Sequence, residues 1–351
     1  MDSRDFFADP LLVIARNAAA IAWSRIEHWG GVLDGHWTAD GLNIVPDDHP
    51  LSADATGVIT ESEAAARNAT SLVDHKGDAN DLVTVADGEI EALIRGFLQK
   101  IRPQDTMVGE EGGGVLHLQD DAWGPVPPDH VTAPIDHPDP IEWHVDPIDG
   151  TVNFVRRMEH HCFSIGGRDA RTGEWLVGLV ASPALATTWF ARKGKGAWKS
   201  PRLPQPHSYV DPLGTQIVDG VDHSEGEPRP FRPKRLGTRL HGAPAERSGQ
   251  VVATGFGYSP ERRAQQFPAL LQVMEKFDDV RRCGAAAIDL CLAAEGRVDA
   301  YFERGLGTYD WAAGALIAEE AGLTVYRPEE KGDVAIAATD AELFTWIRKF
   351  A

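Results

Sequence analysis

The segment Asp146-Pro147-Ile148-Asp149-Gly150-Thr151 sets two carboxylates three residues apart around a stiff prolyl turn. Pro147 fixes the local backbone. Asp146 and Asp149 then project toward one point, with the Ile148 carbonyl between them. Such hard oxygen ligands are what Mg2+ prefers. Gly150 allows close approach to the backbone, and Thr151 adds a hydroxyl able to orient water. If Gly150 and Thr151 open a helix, their amides face an anion. Gly109-Glu110-Glu111 lies upstream, and Asp310-Trp311-Ala312-Ala313-Gly314 downstream. Together the three segments read as a multi-metal site for phosphate-ester hydrolysis. Each alone has a plainer reading: a surface Asx/Pro turn, a solvated glutamate pair, a helix N-cap. Asp87, at another helix start, shares that ambiguity.

The chain of 351 residues carries a formal net charge of −19, which argues against a nucleic-acid partner because phosphate would be repelled. A small phosphorylated substrate would be repelled too, unless bound divalent cations reversed the sign locally. The acidity therefore suits a phosphatase only if it is metal-dependent. No apolar run approaches the roughly 18 residues that span a bilayer. Met1-Asp2-Ser3-Arg4-Asp5 lacks the features of a signal peptide. Cys162, Cys283 and Cys291 are odd in number and form no C-x-x-C pair, which points to free thiols in a reducing cytoplasm.

Several elements must position these acids. Apolar spacing predicts an opening helix over 10–28, and a short extended run over 81–87 entering a helix that Pro103 ends. Val145 closes a strand that runs into Asp146. Further on, 251–254, 280–281, 298–302, 323–326 and 334–338 read as strands. Helices are expected from Ser259-Pro260, with Phe267, Leu270, Leu271, Met274 and Phe277 lining it, over 285–295, and from Asp310 to Gly322. This alternation implies layered α/β architecture. Irregular stretches near 30–70, 112–141 and 200–245 read as insertions rather than domains. We divide the chain into an N-terminal subdomain, 1–245, bearing Glu110 and Asp146–Thr151, and a C-terminal one, 246–351, contributing Glu303 and Asp310. A basic group, Arg229, Arg232, Lys234, Arg235 and Arg239, reads as a solvated loop, and His160-His161 as structural or surface residues.

Asp81-Leu82-Val83-Thr84 with Asp87, Gly109-Glu110-Glu111, and the run Trp143 to Phe154 resemble the inositol monophosphatase family. So do Cys283 to Leu290, Asp299-Ala300-Tyr301-Phe302-Glu303 and Tyr309 to Gly314, with the last block most like the actinobacterial branch. The resemblance implies a five-layered αβαβα sandwich, two to three Mg2+ per site, and a homodimer. It also implies that Glu110, Asp146 and the Ile148 carbonyl hold a first metal. Asp146 would bridge to a second that Asp149 and Asp310 complete. Asp87 would stand near a weaker third metal, with Asp81 behind it, and Glu110 and Thr151 would orient and deprotonate the attacking water. Two metals about 4 Å apart suit an in-line displacement without a histidine base.

For substrate, the resemblance implies contacts from Asp149, Gly150, Thr151, Ala286, Glu303 and Asp310, with Glu303 accepting from a polyol hydroxyl. A myo-inositol monophosphate leads. Histidinol phosphate, 3′-phosphoadenosine phosphate and fructose 1,6-bisphosphate are alternatives, as is a regulatory binding protein that keeps the fold. Tyr309 replaces a customary Trp, and Ala285 a customary Ser or Thr, so specificity can have drifted.

Overall fold

In the computed structural model, the described residues are 9–38, 41–42, 73–75, 82–111, 114–117, 137–201, 208–210, 216–218, 221–222, 229–230, 237–244 and 246–351. Asp81, the prolines between 118 and 136, and Arg232, Lys234 and Arg235 lie outside them.

The first layer is helical. Helix α1 (Pro10–His36) presents Ala15, Ala18, Ala19 and Ala22, and these short side chains let it lie close on its neighbours. Asp9 caps it, accepting from the Leu11 and Leu12 amides at 3.1 and 3.2 Å. Helix α2 (Val85–Ile101) packs beside it. Glu89 of α2 ion-pairs with Arg25 at 2.9 Å and accepts from the Trp29 indole.

These helices cover one face of an eight-stranded sheet. Its strands are β1 (Thr106–Gly109), β2 (Gly114–His117), β3 (Ile141–Asp149), β4 (Cys162–Asp169), β5 (Trp175–Ser182), β6 (Thr187–Arg192), β7 (Gly196–Pro201) and β8 (Thr238–Arg239). The spatial order is β8-β7-β6-β5-β4-β3-β1-β2, antiparallel except for the parallel β1–β3 pair. Strands β4 to β7 form a meander that the sequence reading did not resolve. β3 extends beyond Val145 to Asp149, with a register shift against β4 between Asp146 and Asp149. That irregularity turns both carboxylates out of the ladder.

Helices α5 (Ala286–Ala294) and α6 (Thr308–Glu320) make the central layer. Close approach here depends on missing side chains. A Cβ on Gly166 would come within 2.8 Å of Ala312 Cβ, one on Gly178 within 2.7 Å of Ala313 O, and one on Gly314 within 2.7 Å of Leu290 Cβ. The small residues after Asp310 thus seat α6 between sheet and α5. Beyond lies a five-stranded sheet of β9 (Val251–Thr254), β10 (Asp279–Arg281), β11 (Ala300–Arg304), β12 (Thr324–Tyr326) and β13 (Val334–Ala338), in the order β10-β9-β11-β13-β12. Helices α4 (Pro260–Val273) and α7 (Ala341–Phe350) close the outer face. A five-residue helix, α3 (Thr151–Val155), follows β3. The layers are therefore αβαβα. One apolar cluster joins Cys162, Val180 and Trp189 to Ala287, Leu290, Trp311 and Ala337, across the central layer.

Several expectations change. Residues 114–117 and 238–239, within stretches read as irregular insertions, are strands of the main sheet, and 208–210, 216–218, 221–222 and 229–230 pair into a separate four-stranded sheet. Residues 30–36, read as irregular, continue α1. Only Val273 of α4 is fully buried, whereas Phe267 and Leu271, expected to line it, are 48% and 70% exposed. Asp310 is not the cap of α6 but its third residue, and its Oδ2 accepts from Gly307 N at 2.6 Å.

Candidate active site

The start of β3 is anchored by a separate carboxylate. Buried Asp105 accepts from Arg102 Nε and Nη2 at 3.0 and 2.9 Å, from Ile141 N at 3.1 Å and from Trp143 Nε1 at 2.9 Å. Both oxygens are satisfied by charge-assisted or neutral donors. The neighbouring turn is held by Glu91 of α2, whose Oε2 accepts from Glu111 N at 2.8 Å. A Cβ at Gly109 would collide with that carboxylate. Glu110 and Glu111 are thereby placed at the mouth of β1.

At the other end of β3 the arrangement reverses. One ligand oxygen from each of Asp146, Asp149 and Asp310 falls within 4.8 Å of the others, and so do oxygens of Asp87, Glu110 and Glu111. Thr151 Oγ1 links the two groups, donating to the Ile148 carbonyl at 3.0 Å with Asp87 Oδ1 at 3.5 Å. Asp146 and Asp87 are buried, and Asp146 Oδ1 has no hydrogen-bond partner. No ion pair to Lys or Arg reaches Asp146, Asp149 or Asp310 among the described residues.

The electrostatics follow. Burial first, then the charges of Glu110, Asp149, Asp310 and Asp87, push the Asp146 carboxyl well above its ordinary range. Burial and Asp310 raise Asp149, partly offset by the Ala287 amide. Burial and Glu110 raise Asp310 to about 8. An orphaned buried carboxylate oxygen among like charges is unstable as an anion. Divalent cations remove the conflict, and the all-oxygen donor set fits Mg2+.

Gly150, Ala286 and Glu303 lie alongside. Gly150 takes a left-handed conformation, φ 88°, which only glycine adopts cheaply; a Cβ there would also meet His160 O at 2.9 Å. The Asp149 oxygens accept from Ala286 N at 3.2 Å and Ala287 N at 2.7 Å, at the start of α5. Helix α3, five residues long, is too short for a substantial dipole at the Gly150 and Thr151 amides. Glu303, on β11, accepts from Tyr301 Oη at 2.9 Å, and its carboxylate rests on Gly255 where a Cβ would clash. Burial raises Glu303 to about 7, and its charge is felt at both Asp149 and Asp310. A cavity of about 260 Å³, lined by Phe256, Gln265, Gln266, Glu303 and Arg304 among others, includes none of the clustered acids, so it adjoins the site rather than forming it.

Asp87, Glu110, Asp146, Ile148, Asp149, Gly150, Thr151, Ala286 and Asp310 thus converge, with Glu303 beside them. The family model for the inositol monophosphatase family matches residues 48–344. The chain belongs to the inositol monophosphatase family. The inositol-1-monophosphatase of Mycobacterium bovis is 36% identical over 284 residues, 78% of this chain and 81% of the relative. The Nus factor SuhB of Escherichia coli is 30% identical over 246 residues, 70% of this chain and 71% of its own. The solved structure of Mycobacterium tuberculosis SuhB shares 33% identity with a TM-score of 0.52, covering 75% of this chain and 84% of that one. As a member of this family the chain is a phosphoric monoester hydrolase of the magnesium-dependent type.

Sequence reading missed several residues around this site. Cys162 Sγ lies 3.8 Å from Asp149 Oδ2. Asn153 Nδ2 donates to His160 O at 2.6 Å and Cys283 O at 2.8 Å, tying α3 to the loop before α5. Tyr301 stands two residues before Glu303 on one strand face, a spacing that signals contact. The Arg102/Asp105 pair, three residues apart after a helix end, was equally legible.

Proposed function

We propose that this phosphatase hydrolyses a small phosphorylated polyol, with myo-inositol monophosphate the leading substrate. The observation carrying this reading is Glu303: a carboxylate half-buried beside the acid cluster, held by Tyr301, and able to accept from a sugar-alcohol hydroxyl. Two to three Mg2+ would be held by Glu110, Asp146, the Ile148 carbonyl, Asp149 and Asp310, with Asp87 near the weakest. When bound, magnesium supplies Lewis-acid activation of water and neutralises charge on the transferring phosphoryl group.

The chain's own residues do the rest. Thr151, its hydroxyl fixed by the Ile148 carbonyl, would orient the attacking water, and Glu110 would take its proton, with Asp87 close by. The Gly150 and Thr151 amides donate to phosphate oxygens. Ala286 and Glu303 fix the ring so that the ester bond lies in line with the water. The alternative substrate, histidinol phosphate, would meet Glu303 through its ammonium.

We further propose a cytoplasmic homodimer, which sedimentation of the full chain tests. No helix among the described residues is long and apolar enough to cross a membrane. The net charge opposes direct nucleic-acid binding. The test of substrate is kcat/KM for inositol 1-phosphate against histidinol phosphate, 3′-phosphoadenosine 5′-phosphate and fructose 1,6-bisphosphate. Preference for histidinol phosphate would replace the leading reading, and turnover of none would favour a regulatory role.

A further inference from the structure

A second group of metal-type ligands stands near the acid cluster and shares no residue with it. His160, Cys283 and Asp289 each offer one ligand atom, and these atoms lie within 4.8 Å of one another. They come from the segment before β4, the loop before α5, and the first turn of α5. Asp289 is buried, with His160 Nε2 at 3.1 Å from its Oδ1. His160 and Cys283 are partly exposed, so an ion can enter from solvent.

The backbone of this group is already organised. One side-chain amide, that of Asn153, grips the carbonyls of both His160 and Cys283. Asp289 N is fixed on Ala285 O at 3.0 Å by the helix. Gly284, at φ 91°, turns the chain immediately after Cys283. Burial and Asp289 hold the Cys283 thiol above its ordinary range, while Arg281 and Arg282 pull it back down.

The ligand chemistry separates this group from its neighbour. Imidazole nitrogen, sulfur and one carboxylate oxygen select borderline-soft cations, whereas the all-oxygen cluster selects hard ones. Zinc–ligand bonds of about 2.0–2.3 Å in tetrahedral geometry put ligand atoms roughly 3.5 Å apart. The ligand atoms already lie within 4.8 Å, so closing the group around an ion requires at most about 1.3 Å of approach, a distance within reach of side-chain rotation.

We propose that His160, Cys283 and Asp289 form a second, non-catalytic site for a thiolate-seeking divalent cation of the Zn2+ class, with an open fourth position. Binding releases the thiol proton to solvent. The ion ties the His160 segment to the start of α5, whose amides hold Asp149. The proposal is independent of which phosphate ester the enzyme hydrolyses.

The test is a Co2+ titration of the full chain in saturating Mg2+, with Co2+ as the spectroscopic stand-in for Zn2+. A thiolate-to-metal charge-transfer band in the near ultraviolet should saturate at one equivalent and disappear on adding Zn2+. Cys283→Ser should abolish it, Cys162→Ser should keep it, and His160→Gln should weaken Co2+ binding by at least about tenfold. The two site variants are independent, so misfolding of one, seen by circular dichroism, leaves the other decisive. Absence of the band in the wild-type chain, or its survival in Cys283→Ser, would overturn the proposal.

Discussion

Two buried aspartates at opposite ends of β3 have opposite surroundings. Asp105, at the start of β3, is enclosed by the Arg102 guanidinium, a backbone amide and an indole. Asp146, at the far end, faces Glu110, Asp149, Asp310 and Asp87 and leaves one oxygen unpartnered. Burial is therefore not what marks the site. A buried carboxylate with its donors in place stabilises the fold; one among like charges stores repulsion that a cation relieves. Removing each side chain should break opposite properties.

The largest effect is expected from that pair. Asp146→Asn should lower kcat by at least about 10²-fold while leaving stability unchanged or higher, since it removes a repelled charge. Asp105→Asn should instead cost about 3–5 kcal/mol of stability by stranding Arg102, with kcat per folded molecule retained. Urea melts and steady-state kinetics on both variants decide this, and equal losses of activity would dissolve the distinction.

The pH dependence comes next. Asp310, raised by burial and Glu110 to about 8, holds a proton in the folded, metal-free protein at pH values where the unfolded chain has lost it. The stability this supplies is complete below the ordinary carboxylate value and is lost as pH rises through about 8. Mg2+ displaces the proton, so the rise in Tm on adding Mg2+ should grow between pH 6 and pH 8.5. A rise that shrinks with pH would mean the ions bind elsewhere. Chelation should reverse the gain.

Much of this contrast was legible in the sequence, for a physical reason. Asp87, Glu110, Asp146, Asp149 and Asp310 all sit where a strand or helix begins or ends, and Gly, Pro and Thr punctuate those junctions. The rest was hidden by tertiary use of local signals. The expected helix stops at 28, yet α1 runs on through Gly30-Gly31 to His36. A Cβ at Gly30 would come within 2.9 Å of Arg157 Nη1, and Arg157 ion-pairs with Asp34 one turn later at 2.6 Å. That glycine makes room for a partner rather than ending the helix. Strands β4 to β6 carry buried residues on both faces because helices cover both, which erases the alternation that reveals a strand. Phe267 and Leu271 mislead in the other direction: helical spacing suggests core, and the structure leaves them on the surface.

On the substrate side, smaller effects are expected. Glu303→Gln should reduce kcat/KM for inositol 1-phosphate about tenfold or more, the worth of a hydrogen bond to a charged group, and should barely affect a simple aryl phosphate. Equal effects on both would remove Glu303 from substrate selection. Tyr301→Phe, which frees one Glu303 oxygen, should give a several-fold loss, again confined to the polyol substrate and seen in KM more than kcat. A loss of stability without that split would assign Tyr301 to packing alone.

The account rests on the acid cluster being a magnesium site that hydrolyses phosphate esters. Phosphate release from inositol 1-phosphate, measured across a Mg2+ titration for the wild-type chain and Asp146→Asn, tests this most directly. We expect release that requires Mg2+ in the wild type and nearly vanishes in the variant at every concentration. Release that persists in chelator, or that Asp146→Asn supports at wild-type rates, would contradict it.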